Sequence, residues 1–418
     1  MRTRMIAAVA AAAGALGAGA PAHAQPEYVR LETHSDPSYP ALFDVEGDLL
    51  AWTSRPYPPS DGLVTNIYRR GAAGWQLEAE LVGAVDQDQG FTVIEGDRIA
   101  TAPYGFSGTR VYRHNGQGWA SEPVKGNSNT FVTGSEIIDV SGKWLVAARR
   151  WPHADGLVLV YRFDGAVWRY HSRLEDPELP DHVGGWVQIE GDVLAVGAMD
   201  DTFAPASLVI FRLVDGAWQL EARIAEGGHP MDIDQGRVLA FHEGQLAIYE
   251  QLSPGAWAAT ASFPVIGYPD LDGDRLVGLE PFGGAIPYGN NCRAVLYEQT
   301  SAGWVRMRAL YPSTAFGSGS PTPSIGFIWW GQAKYADGEI FVRSYDMFDG
   351  EYILGFSTCR ADFNGDGAAD LLDLVAFLEA REEYRMNVDY DMDGDIGHPG
   401  YWDEGDFLEF IRALEEGC

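Results

Sequence analysis

Residues Trp186-Val187-Gln188-Ile189-Glu190-Gly191-Asp192-Val193-Leu194-Ala195-Val196-Gly197-Ala198 read as two short strands around a tight turn. Apolar Trp186, Val187 and Ile189 alternate with Gln188 and Glu190, the period-2 pattern of a half-buried strand. Gly191-Asp192 supplies the turn, since glycine accepts backbone angles other residues avoid. The run from Val193 to Ala198 is apolar throughout, as a strand buried on both faces would be.

The same arrangement recurs along the chain. Strong copies are Phe43-Asp44-Val45-Glu46-Gly47-Asp48 and Phe91-Thr92-Val93-Ile94-Glu95-Gly96-Asp97. Weaker ones are Asp139-Val140-Ser141-Gly142-Lys143, Ile233-Asp234-Gln235-Gly236-Arg237, Leu271-Asp272-Gly273-Asp274 and Ala336-Asp337-Gly338-Glu339. Between copies lies a second marker: a strand such as Val158–Arg162 or Leu208–Arg212, a glycine turn, then Trp and another strand. Trp75, Trp119, Trp168, Trp218, Trp257 and Trp304 occupy this slot, and Trp75–Ala79 matches Trp218–Ala222 residue for residue. These tryptophans are expected to pack an outer strand as core residues.

A marker every ~45–50 residues is the period of a four-stranded β-propeller blade. The expected fold is mainly β, a seven-bladed β-propeller over residues 25–357, with six or eight blades as the alternatives. Tyr28–Glu32 and Glu351–Phe356 read as lone outer strands, either of which would complete the last blade. Motifs such as Gly191–Ala198 resemble the FG-GAP and integrin-α-like propellers of secreted bacterial proteins. Asp270-Leu271-Asp272-Gly273-Asp274 superficially fits an integrin-type calcium loop. It falls, however, where the repeat places its ordinary turn, and no full ligand set follows.

At the N-terminus, Arg2 and Arg4 precede an apolar run from Ile6 to Ala20, and Ala22-His23-Ala24 precedes Gln25. That is the pattern of a secretory signal peptide, here residues 1–24. Secretion, or a cell-surface or periplasmic location, is therefore expected, with no transmembrane segment after cleavage. The formal net charge of −31 argues against a nucleic-acid partner, whose phosphates require Lys and Arg. The three cysteines are Cys292, Cys359 and Cys418. An oxidising compartment permits a Cys359–Cys418 disulfide, while pairing of Cys292 with either stays open.

From Arg360 onward Asp residues fall at ligand spacing. The first loop, Asp362-Phe363-Asn364-Gly365-Asp366-Gly367-Ala368-Ala369-Asp370-Leu371-Leu372-Asp373, offers Asp362, Asn364, Asp366, Asp370, Asp373 and the carbonyl of Ala368. Calcium takes six to eight oxygens from alternate residues of such a curled loop, with a glycine at the sharp turn. The second loop starts with Asp389, Asp391, Asp393 and Asp395, and reaches Asp403 and Asp406 only across an insertion around Gly397–Trp402. One calcium ion is expected and a second is conceivable. Each loop runs into a short apolar helix, which leaves Leu374, Phe377, Leu378, Phe407, Phe410 and Ile411 as candidate partner-facing residues.

Two Asp-x-Asn/Asp-x-Asp-Gly loops, each followed by a helix, resemble a dockerin. The terminal Gly417-Cys418, with Cys359 ahead of the first loop, resembles the GC-type dockerin-like domains that end many secreted planctomycete proteins. The resemblance implies a small α-helical calcium-binding domain over 358–418 that docks onto a cohesin-like or other surface scaffold protein.

Three functions remain. The favoured one is a non-catalytic secreted propeller that binds a protein or glycan, for which Trp151, Trp329 and Trp330 stand outside the repeat's Trp slot. An extracellular polysaccharide hydrolase or lyase carried on a dockerin is the alternative, and a structural envelope protein is the third. Glycoside hydrolysis requires two carboxylates flanking one cleft, and no pair stands out from the many acids. No Gly-x-Ser-x-Gly elbow, zincin histidine motif or phosphate loop appears.

Overall fold

The computed structural model describes residues 31–33, 43–54, 64–71, 74–82, 90–103, 109–126, 137–149, 157–174, 182–199, 205–242, 245–286, 289–310, 332–336, 338–346 and 350–357. The signal-peptide region, both Asp-rich loops, Cys359, Cys418, Trp151, Trp329 and Trp330 lie outside the described residues.

All regular structure described is strand. The chain opens with β1 (Leu31–Thr33) and then lays down one sheet per repeat. The first sheet is β2 (Phe43–Glu46), β3 (Leu49–Ser54), β4 (Val64–Gly71) and β5 (Gly74–Val82). The second is β6 (Gly90–Glu95), β7 (Arg98–Pro103), β8 (Arg110–His114) and β9 (Trp119–Glu122). A two-residue β10 (Val124–Lys125) then crosses to the third sheet, β11 (Ile137–Ser141), β12 (Trp144–Arg149), β13 (Leu157–Phe163) and β14 (Trp168–Leu174). There β10 pairs parallel with β14, a fifth strand the repeat does not announce.

The fourth sheet is β15 (His182–Glu190), β16 (Val193–Met199), β17 (Pro205–Val214) and β18 (Ala217–Ala225). The fifth is β19 (His229–Asp234), β20 (Arg237–His242), β21 (Gln245–Ser253) and β22 (Ala256–Phe263). The sixth is β23 (Ile266–Asp272), β24 (Arg275–Ile286), β25 (Gly289–Thr300) and β26 (Gly303–Leu310). The seventh is β27 (Ala333–Ala336), β28 (Glu339–Asp346) and β29 (Gly350–Ser357), completed by β1, which pairs antiparallel with β29. Both lone outer strands read from the sequence thus enter this one sheet.

Consecutive strands within each sheet pair antiparallel. The innermost strands β2, β6, β11, β15, β19, β23 and β27 pack in that order, and β27 packs back on β2. This is a β-propeller, with the first strand of each sheet lining the axis. Glu46 pairs with Leu49 and Glu190 with Val193, so Gly47-Asp48 and Gly191-Asp192 are two-residue hairpin loops. Gly47 and Gly191 sit at φ 54° and 57°, the left-handed region that the first position of such a turn requires. The fifth sheet makes the turn with Gln235 at φ 51° followed by Gly236 at 73°.

Neighbouring sheets bury their faces against each other. Val146, Val158 and Val160 of the third sheet, for example, pack with Val187, Leu194, Val196 and Val209 of the fourth. Each such side chain contributes roughly 1.5–3 kcal/mol by leaving water. The recurrent tryptophans are part of this packing, each lying against the preceding sheet. Trp75 meets Phe341 edge-on at 5.7 Å, Trp218 meets Trp144 at 5.6 Å, and Trp304 meets Phe263 at 5.6 Å. Trp168 is fully buried, and its indole N–H donates to Glu122 at 2.8 Å.

Candidate functional site

The axis of the propeller encloses a cavity of about 440 Å³ lined by all seven inner strands. Three residues ahead of each hairpin turn, one side chain per strand reaches this level: Asp44, Val93, Asp139, Gln188, Asp232, Asp270 and Lys334. Four carboxylates and one ammonium therefore share this space. Toward the other end of the inner strands, Trp186 lies 6.4 Å from Phe91 and 5.5 Å from Tyr268, so aromatic rings from three sheets converge.

Each of the four carboxylates accepts a backbone N–H from the next sheet. Asp44 Oδ2 accepts from Ile94, Asp139 Oδ2 from Ile189 and Asp232 Oδ2 from Leu271, all at 2.7 Å. Asp270 Oδ2 accepts from Tyr335 at 2.9 Å. The geometry follows from the ring. Each inner strand turns an edge toward its neighbour with no ladder to satisfy it, and buried N–H groups must find acceptors.

A second set of links lies at the turns. Glu46 accepts from Gly96 N–H at 2.7 Å, Glu95 from Gly142 at 2.6 Å and Ser141 from Gly191 at 3.0 Å. Glu190 continues the series with Gly236 at 3.1 Å, and Asp234 with Gly273 at 2.8 Å. The acid before Gly-Asp in the repeat is thus an inter-sheet link. The turn Asp270–Asp274, which superficially fits a calcium loop, belongs to this scheme: Asp270 serves Tyr335 and Lys334, and Gly273 makes the hairpin turn at φ 54°.

Burial raises the pKa values of Asp139, Asp232 and Asp44. Asp139 is pushed up to about 7, chiefly by loss of water, against the pull of the Ile189 and Val140 N–H groups. Burial also raises Asp232 well above the ordinary range, reinforced by repulsion from Asp270, and it raises Asp44 despite the neighbouring Lys334. Burial works against the Lys334 ammonium, but Asp270, Asp44 and Asp232 outweigh it and hold its pKa well above the usual value. Among the described residues, no group of three or more His, Cys, Asp or Glu is placed to hold a metal ion.

Sequence reasoning missed these channel acids as a set. Their signal was an acid flanked by apolar neighbours three positions before the turn, as in Phe43-Asp44-Val45. The residues read from sequence as calcium ligands, disulfide partners and partner-facing side chains all fall in 359–418, outside the described residues.

No family model matches the sequence, and no curated protein matches it. Solved structures do match in fold. A chain of a mitotic checkpoint complex is 10% identical with a TM-score of 0.50, over 82% of this chain and 97% of that one. The β-propeller domain of the trilobed protease from Pyrococcus furiosus is 8% identical, with a TM-score of 0.47, over 76% and 95%. A protein of unknown function from Desulfotomaculum acetoxidans DSM 771 is 12% identical, with a TM-score of 0.44, over 78% and 96%. At such identities the likeness speaks to the fold alone.

Proposed function

We propose that this chain is a secreted, non-catalytic, seven-bladed propeller that binds a protein or glycan and is tethered by a calcium-dependent dockerin-like C-terminal domain. One observation carries the non-catalytic part. Asp44, Asp139, Asp232 and Asp270, the carboxylates best placed for acid–base chemistry in the channel, each hold a backbone N–H of the neighbouring sheet. A carboxylate committed to holding the ring together is poorly suited to moving a proton or attacking a substrate. Phe91 and Tyr268, half-buried against the buried Trp186, offer ring edges and faces of the kind on which a sugar ring stacks.

Tethering rests on the sequence of the C-terminal segment, whose first loop supplies oxygens at calcium-ligand spacing from Asp362 to Asp373. The deciding experiment screens the secreted protein on a glycan array and on plant and algal polysaccharides. A parallel pull-down from the producing cell's surface fraction is run with and without a calcium chelator. Capture of a surface protein only with calcium, and no polysaccharide turnover, is the expected result. Turnover that is lost in Asp139→Asn would overturn the non-catalytic reading, and chelator-insensitive capture would overturn the tether.

A further inference from the structure

Charge is unevenly placed around the channel. Lys334 Nζ lies 3.2 Å from Asp44 Oδ1 and 2.8 Å from Asp270 Oδ1, so one ammonium joins the seventh sheet to the first and the sixth. The Gln332 side chain adds a neutral link to the first sheet, accepting the Phe43 N–H at 2.9 Å and donating to the Phe43 carbonyl at 2.5 Å. Asp139 and Asp232 have no such partner. Among the described residues neither carboxyl lies within ion-pair distance of a cation. Their oxygens meet backbone N–H groups instead: Val140 and Ile189 at Asp139, Ile233 and Leu271 at Asp232, all at 2.7–2.9 Å. Asp139 joins the third sheet to the fourth, and Asp232 the fifth to the sixth.

We propose that the arc of sheets three to six is tightened by acid and loosens as the pH rises to neutrality, while the seventh sheet keeps its contacts throughout. An ionised carboxylate in the closed channel lacks both a counter-ion and most of its water, and opening the arc restores the water. A protonated one carries no charge to solvate, and its oxygens still accept N–H groups. The pKa of Asp139 is about 7 in the closed ring against an ordinary 3.8, so closure holds a proton that an opened arc would release. Such a carboxyl strengthens closure below its ordinary pKa, and the contribution is lost as pH rises through the raised value. The window is therefore about pH 4 to 7. Asp232, raised well above the ordinary range, acts in the same direction.

The neighbouring strands bring few cations to this arc. β6 faces Asp139 with Val93 and, toward the turn, with Glu95, which holds Gly142 and is itself raised by burial. Arg98 on β7 is engaged with Glu122 at 3.1 Å. β15 presents Gln188 and Glu190 between the two acids. β23 presents Asp270 and Asp272 to Asp232, while Asp234 on β19 pairs with Arg237 of β20 at 3.0 Å. Across the axis, burial raises Asp44 and Glu46 on β2, and Lys334 draws Asp44 partly back. Lys334 itself stays charged throughout the window. At the start of β19, the His229 ring lies 5.5 Å from Trp186. Trp186 shares β15 with Gln188, so the arc that responds to pH includes the aromatic end of the channel.

The test is hydrogen exchange read by mass spectrometry on the full-length protein at about pH 4.5 and about pH 7.5, corrected for intrinsic rates. The higher pH is expected to speed exchange in β11, β15, β19 and β23 at least about tenfold more than in β27 and β28. The Asp139→Asn/Asp232→Asn variant has neither proton to lose. In it, pH should change the arc no more than it changes β27 and β28. Exchange that speeds equally in all sheets at the higher pH, or in none, would overturn the proposal. So would faster exchange of β15 and β19 in acid, the response that charging of His229 would give. A variant whose arc keeps the wild-type pH response would overturn it as well. Should the variant not fold, the wild-type comparison between the two pH values decides alone.

Discussion

Asp139 on β11 accepts the backbone N–H of Ile189 on β15 at 2.7 Å, across fifty positions of chain and from one sheet to the next. The same carboxyl also accepts its neighbour Val140 N–H at 2.8 Å. Its charge is therefore a liability in the folded state, while its acceptor atoms are an asset. That separation makes it a good place to measure what the channel costs and contributes.

The pKa of Asp139 is raised to about 7 in the folded chain, from an ordinary value of 3.8. A carboxyl raised by folding contributes most below its unfolded pKa, and the contribution is lost as pH rises through the folded value. The window is therefore about pH 4 to 7, and the loss is on the order of a few kcal/mol. Asp139→Asn keeps an oxygen acceptor without the charge. It should be more stable than wild type at pH 8, with the difference shrinking toward pH 4. Asp139→Ala should lose about 1–3 kcal/mol near pH 4 by orphaning two buried N–H groups, and that deficit should shrink or reverse toward pH 8, where wild type carries the buried charge. Urea unfolding at several pH values measures both.

Trp168 and Trp75 occupy the same slot of the repeat with different hydrogen bonding. Trp168 donates its indole N–H to Glu122, whereas the indole nitrogen of Trp75 is buried with no partner among the described residues. Trp168→Phe should therefore cost about 1–3 kcal/mol more than Trp75→Phe, because it also leaves the Glu122 carboxylate short of a donor. Chemical denaturation of the two variants side by side checks the ordering.

Gly278 on β24 marks a close approach to the link between β22 and β23. A Cβ placed there would lie 2.2 Å from Cγ1 of Val265, which is fully buried. Gly278→Ala should destabilise by about 1–3 kcal/mol through overpacking. Val265→Ala removes the clashing methyl groups, so the double variant should recover part of the loss. A double-mutant cycle by thermal or urea unfolding should show coupling of at least about 0.5 kcal/mol.

Calcium should bind the full-length chain through the loop at Asp362–Asp373. Isothermal titration calorimetry on chelator-treated protein is expected to find one site lost in Asp362→Ala/Asp366→Ala. Asp389→Ala/Asp391→Ala should leave that site in place. Titration without heat at millimolar calcium would remove the dockerin-like reading of the C-terminal segment.

The sheets were legible because their signals are local. A strand, a Gly-Asp turn and a second strand fit within thirteen residues from Trp186 to Ala198, and the Trp slot repeats with the same register. The channel was not legible because its partners are distant in sequence. Asp44 reads as an acid in a strand until the ring brings Ile94 to one oxygen and Lys334 to the other. Lys334 was harder still, since Asp44 approaches it only when the last sheet closes on the first. β10 escaped notice because two residues, Val124 and Lys125, carry no periodicity.

Pairing of Leu31 with Ile353 gives the fold an unusual timetable. The earliest described strand to leave the ribosome finds its place only after β29, the latest, has been made. Until then β29 presents a bare edge, and such edges invite pairing with other chains. Export through a membrane would lengthen that interval, because the leading strand arrives outside long before its berth exists. Assembly should thus be slow and sensitive to protein concentration, and a periplasmic or surface chaperone that shields β29 would raise the yield of closed rings.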